Sequence, residues 1–143
     1  MQVHGSCAAR AGSGILLLGP PGSGKSDLLL RLLDRGFVLV ADDRVDVEDG
    51  FARAPPALAG LLEIRGLGIL RLPSLGGVRL ALAARLVAAA EVARLPERAA
   101  AVFGVPEILV DPRPASAAAL LERALDVATG RLASVAGAFG GSA

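Results

Sequence analysis

Short apolar runs, each closed by glycine, proline or charged residues, recur along the chain and predict a sequence of strands. Val3–Ala9 reads as a strand, followed by a turn at Ala11–Gly14. Ile15–Leu18 is a continuous apolar run between glycines, which suits a strand buried on both faces. Leucines at 28, 29, 30, 32 and 33, interleaved with charges, predict a short helix over Asp27–Asp34 closed by Gly36. Phe37–Ala41 is a second buried strand, and it ends in Asp42 and Asp43.

Arg44–Val47 and Phe51–Ala54 flank Glu48-Asp49-Gly50, where the Asp-Gly pair favours a hairpin turn. Pro55 and Pro56 break that hairpin off. Leu61–Arg65 and Ile69–Leu72 surround a Gly66-Leu67-Gly68 turn. Val78, Leu80 and Leu82 alternate with Arg79, Ala81 and Ala83, the pattern of a half-exposed strand. Ile108–Val110 is the last expected strand, and Ala117–Ala128 a terminal helix with Ser116 as its N-cap. Glycine, serine and alanine accumulate from Gly130 onward. The expected organisation is one domain over 1–130 and a flexible tail over 131–143, with no internal repeat. The fold class is α/β and sheet-rich, with fewer helices than a doubly wound nucleotide-binding fold carries.

Composition narrows the possibilities. The 143 residues are 53% hydrophobic, with four Phe and no Trp or Tyr, so the core must be aliphatic. Net charge is +1 and the arginines are interleaved with acids, which argues against nucleic acid as the main partner. A single cysteine, Cys7, excludes an intrachain disulfide or a cysteine metal cluster and reads as a small buried hydrophobe. The longest tempting apolar stretch, Leu80–Ala93, contains Arg85 and Glu91 and is too short to span a bilayer. No signal-peptide pattern opens the chain, so a cytoplasmic protein without membrane contact is expected.

Gly19-Pro20-Pro21-Gly22-Ser23-Gly24-Lys25-Ser26 matches G-x-x-x-x-G-K-[ST] in full, between a buried strand and an amphipathic helix. Gly22 and Gly24 allow successive amides to turn inward around an anion. Lys25 sets a cation against the outer phosphates, Ser26 suits Mg²⁺, and the helix N-terminus adds partial positive charge. Of fifteen basic residues Lys25 is the one lysine, the other fourteen being arginine. No second lysine is left for a guanine-reading Asn/Thr-Lys-x-Asp motif. With no Tyr or Trp to stack a purine, recognition must rest mostly on phosphates.

Asp42 and Asp43 stand where nucleotide-binding proteins of this kind hold Mg²⁺, at the tip of a buried strand. If the chain turns there, both carboxylates can reach the loop, one serving metal and one accepting a proton. His4, from its chemistry alone, reads as a partly exposed strand histidine. Glu63-Ile64-Arg65-Gly66-Leu67-Gly68-Ile69 reads as strand–turn–strand with charged rims and a close backbone approach at its glycines.

Taken in order, His4-Gly5, the loop at 19–26, Ala41-Asp42-Asp43-Arg44-Val45 and Glu63–Ile69 resemble the catalytic domain of HPr kinase/phosphorylase. A weaker match continues through Arg94-Leu95, Val105-Pro106 and Pro112-Arg113-Pro114, so the likeness covers about residues 3–115. The resemblance implies a sheet-rich P-loop fold similar to phosphoenolpyruvate carboxykinase. It implies ATP and Mg²⁺, transfer to a serine of an HPr-type phosphocarrier, and assembly into a homo-oligomer, a hexamer in the family. His4 matches the family's active-site histidine, and Asp43 the aspartate that takes the serine proton or aids phosphate attack in reverse. Ser26, Asp42 and Glu63 fall at or near metal positions, and Arg94 matches a basic residue linked to the reverse reaction. Typical members carry an N-terminal domain ahead of the histidine. Here the histidine is residue 4, as in the short alphaproteobacterial type. The segment between Leu72 and Arg94 looks shortened, so kinase activity is a firmer expectation than phosphorylase activity. A small-metabolite kinase and a non-catalytic nucleotide sensor remain as alternatives.

Overall fold

The computed structural model describes residues 1–141. Among the described residues ten strands and two helices form: β1 (Gln2–Arg10), β2 (Ser13–Leu18), α1 (Lys25–Leu33), β3 (Val38–Ala41), β4 (Arg44–Glu48), β5 (Phe51–Arg53), β6 (Leu61–Ile64), β7 (Gly68–Arg71), β8 (Val78–Leu86), β9 (Ala101–Val102), β10 (Val105–Val110) and α2 (Ala117–Ala128). Short 3₁₀ turns occupy Pro56–Leu58 and Ala89–Glu91.

Three strands make the centre. β2 lies antiparallel to β1 and parallel to β8. The outer edge of β1 is shared by β4 near its start and β3 near its end. The outer edge of β8 is likewise shared by β5 and then by β10. Because β4 also pairs with β5, the sheet closes on itself at one end, while β3 and β10 diverge at the other.

Side chains of β2 go to opposite cores, as the period of two requires. Ile15 and Leu17 join Leu28, Leu32, Leu121 and Leu125 beneath the two helices. Leu16 and Leu18 join Val40, Val45, Val47 and Val78 inside the closed end. The expectation of a strand buried on both faces holds for β2.

Some elements differ from the sequence expectation. The half-exposed strand expected from Val78 onward runs to Leu86 and is central, with Leu82, Ala83 and Ala84 fully buried. Its register against β2 slips at Ala81, which changes the phase of the alternation. Ser116 precedes α2 but its side chain makes no capping hydrogen bond. α1 begins two residues earlier than Asp27, and Phe37 closes it by donating its amide to Leu32 O. Beyond α2, Ala138 and Phe139 pack against the helical core, and Ala99 N donates to Ala138 O at 2.7 Å. Residues 142 and 143 of the expected tail lie outside the described residues. No helix among the described residues is long and apolar enough to cross a membrane, which says nothing of strands.

Candidate functional site

The site gathers where β1, β3 and the start of α1 meet. β2 delivers the chain to Gly19, and the loop turns into α1 through Gly24, whose φ of 99° is a left-handed conformation that a β-carbon resists. Lys25 Nζ donates to Gly19 O (2.7 Å) and Pro20 O (2.9 Å), so the ammonium is held over the loop's own backbone. An ammonium has three N–H donors, and a further one remains for an anion. Ser23 Oγ is buried within the loop without a protein partner, a polar atom suited to an anionic oxygen.

The register of β1 decides what faces the loop. Cys7 pairs with Ala41 and His4 with Arg44, so Ser6 stands across from Asp42 and Gly5 across from Asp43. Gly5 N donates to Asp43 O at 3.2 Å. Asp42 is buried, and three contacts hold its carboxylate. Ser6 Oγ donates to Oδ1 at 2.6 Å, and Ser26 Oγ approaches Oδ1 and Oδ2 at 3.0 and 3.1 Å. A hydroxyl and a carboxylate at this separation form a hard-oxygen set that suits Mg²⁺.

At Asp43 the chain turns. Its φ is 68°, and Arg44 N donates to Asp42 O at 2.8 Å across it, the i to i+2 bond of a γ-turn. Such geometry is uncommon outside glycine, although Asp and Asn tolerate it better than most. Strand continuation would have sent the second carboxylate to the opposite face; the turn keeps both on one side. Electrostatics agrees. Burial depresses the ionisation of the Lys25 ammonium below its ordinary range, while Asp43 and then Asp42 pull it back up. Both carboxylates therefore act on the cation of the loop. Asp43 itself is open, its side chain 75% exposed, with Arg44 Nε 3.9 Å from Oδ2. His4 is exposed on β1, opposite Arg44 and beside this turn.

Of the residues singled out from sequence, the structure brings together the loop Gly19–Ser26 with Asp42, Asp43 and, at the margin, His4. Glu63 is exposed on β6 of the separate two-stranded sheet, and no polar contact joins it to Asp42 among the described residues. Arg94 is exposed in the connection after Glu91 and makes no ion pair among the described residues. Ser6 was missed. The signal lay in the period of two, which puts it on the same face of β1 as His4, the one hydroxyl in a run of small residues.

Comparisons with known proteins point to one family. The family model described as the HPr Serine kinase C-terminal domain matches residues 1–89, more than half of the chain. A protein named HPr kinase/phosphorylase from Clostridium tetani is 43% identical over 81 residues, 54% of this chain and 27% of that protein. One of the same name from Lacticaseibacillus casei is 46% identical over 81 residues, 53% of this chain and 25% of that protein. The chain thus spans about a quarter of the length of these relatives. A solved structure titled as the Hpr(Ser) kinase/phosphatase from Coxiella burnetii superposes with a TM-score of 0.74 at 27% identity, covering 92% of this chain and 90% of that one. With its loop, strand-tip carboxylates and sheet arranged in this way, the chain belongs to the HPr Serine kinase C-terminal domain family.

Proposed function

We propose that this domain is an ATP-dependent protein kinase that phosphorylates a serine of an HPr-type phosphocarrier. The observation that carries the reading is the convergence of Lys25, Ser26, Asp42 and the open Asp43 at one end of the sheet. The Gly19–Ser26 segment is a phosphate loop, in a sheet-rich setting of the phosphoenolpyruvate carboxykinase kind. Its amides and the N-terminus of α1 hold the polyphosphate. Lys25 neutralises charge at the outer phosphates as the phosphoryl group leaves.

Ser26 Oγ and the Asp42 carboxylate would hold Mg²⁺, and Ser6 bonds that carboxylate through Oδ1. When bound, the metal supplies a positive charge that offsets the charge developing on the phosphate oxygens. Asp43 accepts the proton of the attacking serine hydroxyl, from an exposed position where its charge acts on the Lys25 ammonium. His4, exposed beside the turn, faces the same approach path. Because Asp43 is exposed rather than sunk in a cleft, a residue on a folded protein can reach it, which favours a phosphocarrier over a small metabolite.

On this reading the domain works in the cytoplasm as a homo-oligomer, and Glu63 and Arg94 act at its periphery. In phosphorolysis an oxygen of inorganic phosphate bonds to the phosphoserine phosphorus as the bond to the serine oxygen breaks, Asp43 returns the proton to that oxygen, and pyrophosphate leaves. In the forward direction the serine oxygen bonds to the γ-phosphorus as the bond to the β-bridging oxygen breaks, releasing ADP. Incubating the chain with an HPr-type protein, ATP and Mg²⁺ should add one phosphoryl group to a serine, read by mass spectrometry. Tight ATP binding with no transfer to any protein or metabolite would instead favour a nucleotide sensor.

A further inference from the structure

A groove of about 820 Å³ opens on the flank of the phosphate loop away from the catalytic pair. Gly22, Gly24 and Asp27 form one wall, Arg85 and Val87 another, and Arg113 the rim. Lys25, Ser26, Asp42 and Asp43 do not line it. Since Ser26 and Asp42 mark where the terminal phosphate sits, the opposite flank is where the remainder of a nucleotide must leave the loop.

The outer wall is the connector between β10 and α2, and it is fastened in an unusual way. Arg31, on the second turn of α1, donates through Nη1 to Pro114 O at 3.1 Å and through Nη2 to Pro112 O. The same guanidinium pairs with Asp27 at 3.1 Å. Three acceptors thus meet one rigid fork. Pro112 is pressed against the loop itself, its Cγ 3.3 Å from where a β-carbon on Gly24 would stand. Arg113, between the two anchored prolines, lines the groove with its side chain 71% exposed, and among the described residues it pairs with Asp111 alone. No aromatic side chain lines the groove, so the guanidinium planes of Arg85 and Arg113 are the groups there able to stack on a base. Arg85 is tied back to Glu107 at 3.0 Å, and Arg113 is the more exposed of the two.

Resting on the kinase reading above, we propose that the Asp111–Pro114 connector receives the nucleoside end of the nucleotide. Arg113 is its contact and Arg31 the positioning residue that holds the connector against the loop. Arg31 also neutralises Asp27, whose carboxylate otherwise faces the phosphates across the groove.

Titration calorimetry with two probes, Mg-ATP and Mg-tripolyphosphate, separates this role from simple charge or folding effects. Arg113→Ala, at an exposed position, should weaken ATP about five- to tenfold and leave tripolyphosphate within about twofold. Arg31→Gln, made together with Asp27→Asn so that no carboxylate is left unpaired, should reproduce the ATP-selective loss. Arg31→Lys should recover most of the ATP affinity. Equal losses for both probes, or no loss of ATP binding in Arg113→Ala, overturns the nucleoside wall. Failure of the unsubstituted chain to bind tripolyphosphate overturns the phosphate-loop reading itself.

Discussion

At the scale of single residues, Asp43 has a local backbone conformation on which its proposed chemistry depends. Left-handed backbone at a non-glycine residue costs about 1–3 kcal/mol and persists where the surroundings enforce it. Here Gly5 N holds the Asp43 carbonyl and Arg44 N closes the turn. The choice of substitution matters for that reason. Asp43→Asn preserves tolerance of positive φ, so it removes the proposed proton acceptor without rebuilding the turn. Phosphoryl transfer should fall by about 10²-fold or more while ATP affinity stays within a few-fold. Ser6→Ala should behave differently, because Ser6 bonds the carboxylate expected to hold metal. It should raise the Mg²⁺ concentration needed for half-maximal transfer and leave saturated transfer largely intact. Steady-state kinetics across a Mg²⁺ series checks both, and a Ser6→Ala protein with unchanged Mg²⁺ dependence would remove Ser6 from the site. Lys25 and Ser26 were legible in the sequence because they sit in a motif at fixed spacing, and Asp42 and Asp43 because they end an apolar strand. Ser6 was not, because its meaning depends on the register of β1 against β3.

At the scale of elements, what could be read from the chain depended on how strongly the side chains alternate. β2 and β3 announced themselves through apolar runs, and the β4–β5 hairpin through Asp49-Gly50, which takes φ of 51° and 76° as a two-residue hairpin turn requires. β8 was legible only as a half-exposed strand. Its alanines at 81, 83 and 84 carry little pattern, and the slip at Ala81 breaks the alternation just where the strand becomes central. β9, two residues before a Phe103-Gly104 turn, is too short to read from sequence. The β2–β8 slip also depends on Gly14, where a β-carbon would come within 2.6 Å of Val78 Cγ1 and 3.3 Å of Leu80 Cδ2. Gly14→Ala should therefore lower stability by about 1–3 kcal/mol through overpacking. The obstructing atom belongs to a side chain, so adding Val78→Ala should recover part of the loss. Denaturant unfolding of both variants tests this, and a Gly14→Ala protein as stable as the parent would show that the bulge does not need glycine.

For the whole molecule, the question is what holds the helices to the sheet while leaving the site end open. Apolar packing of Leu28, Leu32, Leu121 and Leu125 against Ile15, Leu17 and Leu82 supplies most of the attachment. One polar junction spans all three layers. Glu122 of α2 pairs with Arg10 of β1 at 2.9 Å and with Arg35 just beyond α1, while Arg10 also reaches Asp126 and covers the Phe37 ring. The hydrogen bond from Arg35, aided by the charges of Arg35, Arg10 and Arg123, lowers the Glu122 pKa from its ordinary 4.5 against a smaller opposing effect of burial. An acid whose folded value lies below its unfolded value stabilises the fold fully above the unfolded value. That contribution disappears as pH falls from about 4.5 through the folded value. Glu122→Gln should consequently have a lower thermal midpoint than the parent at neutral pH. Below pH 4.5 the gap should close, because the parent loses by protonation what the variant never had. Midpoints measured along a pH series decide the matter: a gap that stays constant down the acid limb would mean that Glu122 acts through packing rather than charge.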